Sequence, residues 1–193
     1  YPKSVTMAAG LVLNFTGLDN NNFVFSIPTD TSQSVDSLTG IATFSNTVLF
    51  EGLFLTDTFV KDTTQRQRFI LTNDKVDTTS MIVEVTSGTI TEKYLQATDI
   101  TKIDSTSKVF FLEESEYQIP EILFGDGVIG KALTNGDVVT VRYTTSSGNG
   151  ANGLKVFENI GTYRDNAGNA ISSGITITAV SFPDGGSEPE TTE

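Results

Sequence analysis

The chain has 193 residues and no Cys, His or Trp, and its 24 acidic residues against 12 basic ones give a formal charge of −12. Those zeros exclude thiol and imidazole nucleophiles, a Ser-His-Asp triad, disulfides and ordinary zinc or haem ligation. The negative charge argues against a phosphate backbone as partner, and no apolar run approaches the roughly 20 residues of a membrane span.

What remains is the composition of strands and turns. There are 29 Thr, 17 Gly and 13 Phe; Thr, Val, Ile and Phe suit a pleated, half-buried surface, while Gly, Asn and Asp supply its turns. Tyr1 stands where an initiator Met would, with no charged and apolar leader after it, which predicts a piece excised from a longer polypeptide.

Period-two patterns run along the chain. Leu11, Leu13 and Phe15 share one strand face; Phe23, Phe25 and Ile27 share another, stopped at Pro28. Ile41–Phe44 and Val48–Phe50 flank Ser45-Asn46 as a predicted hairpin. Phe69–Leu71 precedes Thr72-Asn-Asp74, and Met81, Val83 and Val85 alternate with Ile82 and Glu84. Val109–Leu112 follows, then Ile119–Phe124, where Pro120 predicts an edge strand or a bulge. Val139, Val141 and Tyr143 alternate with Thr140 and Arg142; Ile175, Ile177 and Ala179 alternate with Thr176 and Thr178. Val5–Leu13 and Leu154–Ile160 have room for a helical turn or two. The sum is an all-β chain of β-sandwich-like units, built from short antiparallel strands with little helix.

Two joints divide it: the Gly-rich Ser146–Gly153, and a softer polar stretch over Thr56–Gln67. They predict an outer β unit of 1–57 with 148–185, an inserted β domain over 58–147, and a flexible tail over 186–193.

Chemistry-bearing motifs are few. Ile122–Lys131 carries Phe-Gly-Asp-Gly and a following Lys, but it lacks the spacing of a phosphate-binding loop, and Asp126 would repel phosphate. Gly125, Asp126, Gly127 and Gly130 are therefore read as a tight structural turn. Glu113, Glu114 and Glu116, with Asp104 before them, are the acids available for a glycosidase pair or Ca²⁺, yet they have neither spacing; a solvated loop is the expectation. Asn14-Phe-Thr16 fits a glycosylation sequon. No residue is assigned to catalysis, to a metal or to a cofactor.

Three stretches in order carry a resemblance. The first is Arg68-Phe-Ile-Leu-Thr-Asn-Asp-Lys-Val-Asp-Thr-Thr-Ser-Met-Ile-Val-Glu-Val85. The second joins Val109-Phe-Phe-Leu-Glu-Glu114, Tyr117–Lys131 and Leu133–Tyr143 to Gly148 and Asn152-Gly153. The third is Gly185-Gly-Ser-Glu-Pro-Glu190. This series is similar to the baseplate wedge proteins of contractile-tailed bacteriophages, the baseplate J-like family, across about 20–190 and most densely over 68–153. It departs at Thr72, where Pro is common, and at Asp30, where Gly is. The resemblance implies a non-enzymatic structural part of a tail baseplate in the virion, assembled in the host cytoplasm. Its partners would be other wedge proteins and, in the full-length context, copies of itself, with no nucleic acid and no membrane. A carbohydrate-binding or adhesin-like β-sandwich is the alternative.

Overall fold

The computed structural model describes residues 1–16, 21–64, 67–145 and 147–186. It is all-β: strands throughout, with one 3-10 turn over Ile100–Lys102 among the described residues. Among the described residues no helix is long and apolar enough to cross a membrane. The chain divides into two compact units, residues 1–54 with 146–193 and residues 55–145.

The first unit holds β1 (Ser4–Met7), β2 (Gly10–Thr16), β3 (Asn22–Ile27), β4 (Thr31–Ser34) and β5 (Phe50–Glu51). The second holds β6 (Leu55–Val60), β7 (Phe69–Ile70), β8 (Val76–Ser87), β9 (Ile90–Gln96), β10 (Val109–Glu114), β11 (Pro120–Phe124) and β12 (Val138–Thr145). The chain then returns to the first with β13 (Phe157–Asn159), β14 (Tyr163–Asp165) and β15 (Ala170–Ile171).

Unit 1 is a ribbon folded over on itself. Its two sheets run β15-β14-β1-β4 and β13-β2-β3-β5, so three neighbouring strands of one sheet, β14, β1 and β4, continue in sequence into three neighbours of the other, β13, β2 and β3. All three cross one corner. Gly10 turns it at φ +114°, the left-handed side that glycine reaches without a Cβ penalty. The Asp30 carboxylate accepts the Ala9 amide at 2.8 Å, and the Ala8 amide donates to the Thr162 carbonyl at 2.9 Å. The fold buries Met7, Val12, Phe15, Phe25, Ile27 and Tyr163 between the two halves, with the Phe15 and Phe25 rings edge to face at 5.0 Å.

Unit 2 is one seven-stranded sheet, β6-β12-β8-β9-β10-β11-β7, antiparallel except for the parallel pair β9 and β10. In a flat sheet the outermost strands would lie about 29 Å apart, since neighbours are ~4.8 Å apart. Instead Phe59 of β6 and Phe69 of β7 meet edge to face at 5.6 Å. The sheet curls into an open barrel, filled by Val83, Val85, Tyr94, Phe110, Ile122, Val139, Val141 and Tyr143. Val138, Thr140 and Arg142 take the opposite face by strand alternation.

Three of its loops and an irregular stretch of β8 share a device. In Asp62-Thr-Thr64, Asp77-Thr-Thr79, Asp99-Ile-Thr101 and Asp104-Ser-Thr106, one aspartate oxygen accepts both the amide and the hydroxyl of the threonine two residues on. The amide distances are 2.9, 2.9, 3.1 and 2.9 Å; those to the hydroxyls are 2.6, 2.6, 2.6 and 2.9 Å. In the three loops such a side-chain bond substitutes for a backbone turn bond; Asp77 instead sits within β8, where the register against β12 shifts between Arg142 and Thr144.

Several local expectations are corrected. Val5–Leu13 and Leu154–Ile160 contain strands rather than helical turns, with Gly10 at the bend between β1 and β2. The hairpin across Ser45-Asn46 is absent: of its two arms only Phe50 is in a strand, and β5 pairs with β3. Ile175–Ala179 forms no strand, yet Ile175 and Ile177 pack on the unit 1 core. Their alternation reports burial without pairing. Thr56–Gln67 is no joint in its first half, which is β6, polar because four of its six residues are exposed; Gln65 and Arg66 lie outside the described residues. Pro120 opens β11, which has β10 on one side and β7 on the other, so the strand is not an edge. A proline is tolerated at a strand's first residue, and its carbonyl accepts the Leu71 amide at 3.0 Å. Of the tail expected over 186–193, residues 187–193 lie outside the described residues, and Gly186 is bonded in both directions to the Asn152 side chain.

Candidate functional site

The segment after β11 draws Gly125, Asp126, Gly127 and Gly130 into one turn. Asp126 Oδ1 accepts the Val128 and Ile129 amides at 2.8 and 2.9 Å, and these bonds, that from Ile129 foremost, hold its carboxyl below the usual range. The Gly127 amide donates to the Gly130 carbonyl at 3.0 Å. Gly127 and Gly130 stand at φ +89° and +85°. Gly125 is constrained differently: a Cβ there would sit 2.2 Å from the Gly130 backbone. The loop is then tied to its neighbour, Gly130 N–H to the Asp104 carbonyl at 2.9 Å and Lys131 N–H to the Ser107 carbonyl at 2.8 Å. Every amide from Gly127 to Lys131 thus has an acceptor inside the protein, which leaves none to cradle a phosphate. The turn presents Val128 and Ile129, 72% and 40% exposed.

The acids do not converge. Glu113 and Glu114 are exposed at the end of β10, opposite Glu121 and Pro120, and Glu116 follows in the turn. Glu113 and Glu116 share the field of Arg68, whose guanidinium makes a two-point ion pair with the buried Glu121. That bond raises the Arg68 pKa, and the charges of Glu121, Glu116 and Glu113 add to it. Asp104 belongs to the other loop, where the hydroxyls of Ser107 and Thr106 hold its pKa at about 2. Among the described residues no group of three or more acids is placed to hold a metal ion.

Two clusters escape a linear reading. Glu92 lies between Lys108 and Lys131, each ammonium 2.8 Å from one of its oxygens, and their hydrogen bonds bring its pKa to about 2. Inside the barrel, the Asp57 carboxylate accepts the Thr72 amide at 2.8 Å, the Thr72 hydroxyl at 2.8 Å and the Tyr143 hydroxyl at 2.9 Å. Burial, together with this neighbouring carboxylate, pushes the Tyr143 phenol up. The signal for Asp57 was present in the sequence: it lies two residues before Phe59, on the inward face of β6.

Asn14 of the sequon sits in the interior of its sheet, opposite Glu158 of β13 and Val24 of β3. Its side-chain oxygen is buried and has no hydrogen-bond partner.

Compared with known proteins, the chain matches no family profile and no curated relative.

Proposed function

We propose that the chain is a non-catalytic structural module of a contractile-tail baseplate wedge. It assembles by protein–protein contacts with other wedge proteins and with copies of itself, and passes on movement when the baseplate changes state.

The observation that carries this reading is how the acids are used. Asp62, Asp99, Asp104 and Asp126 each close their own turn, Asp77 pins the irregular stretch of β8, and Glu92 and Glu121 hold lysines and an arginine in place. Loops locked by their own carboxylates keep their shape when pushed, which suits a part whose work is to hold geometry. The resemblance of the ordered motifs over 68–153 to the baseplate J-like family supports this reading, and the wedge partners and the place in the virion are what that resemblance implies.

Negative-stain imaging of virions carrying a gold-labelled tag on this chain tests it. Label at the tail tip is the expected result, and label elsewhere overturns the reading. Binding of the purified chain on a glycan array would select the sugar-binding alternative instead.

A further inference from the structure

Unit 2 has a seam where the edges of its curled sheet meet. Beside it opens a cleft of about 190 Å³, lined by Lys61, Gln67, Phe69, Phe124, Gly125 and Leu133 among others. Its walls are fixed before any ligand arrives. Phe69 is wedged edge to face between Phe59 and Phe124, at 5.6 and 5.4 Å. Gln67 is tied at both ends of its amide: Nε2 donates to the Val60 carbonyl at 2.7 Å and Oε1 accepts the Asp62 amide at 2.9 Å. Gly125 is pinned by the close approach of Gly130.

One cation faces this aromatic floor. Lys61 Nζ stands 5.8 Å from the centre of the Phe69 ring. Lys102, Lys108 and Lys131 each hold a carboxylate, whereas Lys61 makes no ion pair among the described residues. Asp62 beside it bonds chiefly to Thr64 and is drawn to Lys61 only as a lesser effect, and the Asp137 carboxylate accepts from Ser87 and Thr134. A preformed cleft that combines an aromatic and aliphatic wall with a few fixed polar groups, here Lys61 and Gln67, is the usual form of a small-molecule site.

We propose that this cleft binds a small carboxylate with an aromatic or branched apolar body. The carboxylate meets Lys61 Nζ and the body lies against Phe69, Phe124 and Leu133. A single ammonium, with the amides of the neighbouring turn already bonded, suits a monoanion better than a phosphate. The volume is well below the roughly 300–1,000 Å³ of sites for drug-sized ligands, so the occupant is a fragment of about ten non-hydrogen atoms.

The probe is 3-phenylpropionate, titrated into the uniformly ¹⁵N-labelled full chain and followed by amide shifts. Saturable shifts are expected at Phe69, Phe124, Gly125 and Leu133. The neutral 3-phenylpropan-1-ol should bind about tenfold more weakly, equivalent to ~1.4 kcal/mol. Lys61→Met and Lys61→Gln should each remove that preference for the acid while leaving the alcohol unchanged, and their amide spectra report whether the fold is kept. Shifts that do not saturate, shifts confined elsewhere, equal affinity for acid and alcohol, or an acid affinity indifferent to Lys61 would each overturn the assignment.

Discussion

Two glycines of the same turn differ at the scale of single atoms. Gly127 needs only its φ of +89°, with open space around it apart from Ala132 at 3.7 Å, so Gly127→Ala should cost about 1–2 kcal/mol of left-handed strain. Gly125 has a backbone where its Cβ would go, so Gly125→Ala must open the turn, at about 3 kcal/mol or more. Urea unfolding followed by circular dichroism should rank them in that order; equal losses would mean that the close approach carries no energy. The opposite case is Thr144, fully buried with no partner for its hydroxyl. Its amide donates to Ser80 Oγ at 2.8 Å, a bond that valine would keep. Thr144→Val should therefore raise the urea midpoint, by about 1 kcal/mol in stability, because an unsatisfied buried group is removed.

Turns and strands explain the composition better than their surfaces do. Four of the aspartates and four of the threonines serve Asp-x-Thr motifs, and the lowered carboxyls carry a pH signature. Asp104 and Glu92 titrate near 2 in the folded chain, and Asp62, Asp99 and Asp126 are also lowered. A depressed carboxyl stabilises fully above the unfolded value of about 4 and loses that contribution as pH falls towards 2. The urea midpoint should be flat from neutral pH to about 5 and fall below about 4, and Asp104→Asn or Glu92→Gln should make the fall shallower. Salt at about 1 M should weaken the Glu92 contribution, which rests on two ammonium groups, and spare Asp104, whose donors are neutral. This scale also marks what was legible beforehand. Alternation located β2, β3, β8 and β12, since burial of one face is written in period two, and the apolar run Val109–Leu112 located β10. The Gly125–Gly130 turn was legible from its own residues. The Asp57–Thr72–Tyr143 cluster and the Lys61 cleft were not, because their parts come from strands at opposite edges of a sheet that only curling brings together. The Ile175–Ala179 alternation misled because apolar residues can face a core without a ladder.

On the scale of the whole chain, each unit has its own core, and the second is continuous over 55–145. Residues 55–145 expressed alone should therefore fold cooperatively and show the dispersed amide spectrum of a barrel; a collapsed, undispersed spectrum would show that the core depends on unit 1. The insertion has a mechanical side. The chain enters at the start of β6 and leaves at the end of β12, and these strands are antiparallel neighbours with Leu55 opposite Tyr143. Tension applied across the two crossings pulls on adjacent ends, so the ladder from Leu55 and Tyr143 to Val60 and Val138 peels one pair at a time rather than shearing all at once. Asp57, two residues from the opening end, clasps Tyr143 and Thr72 together. It is the latch of a zipper: the unit bears compression through its packed interior, while its resistance to being drawn out of the chain rests first on one carboxylate.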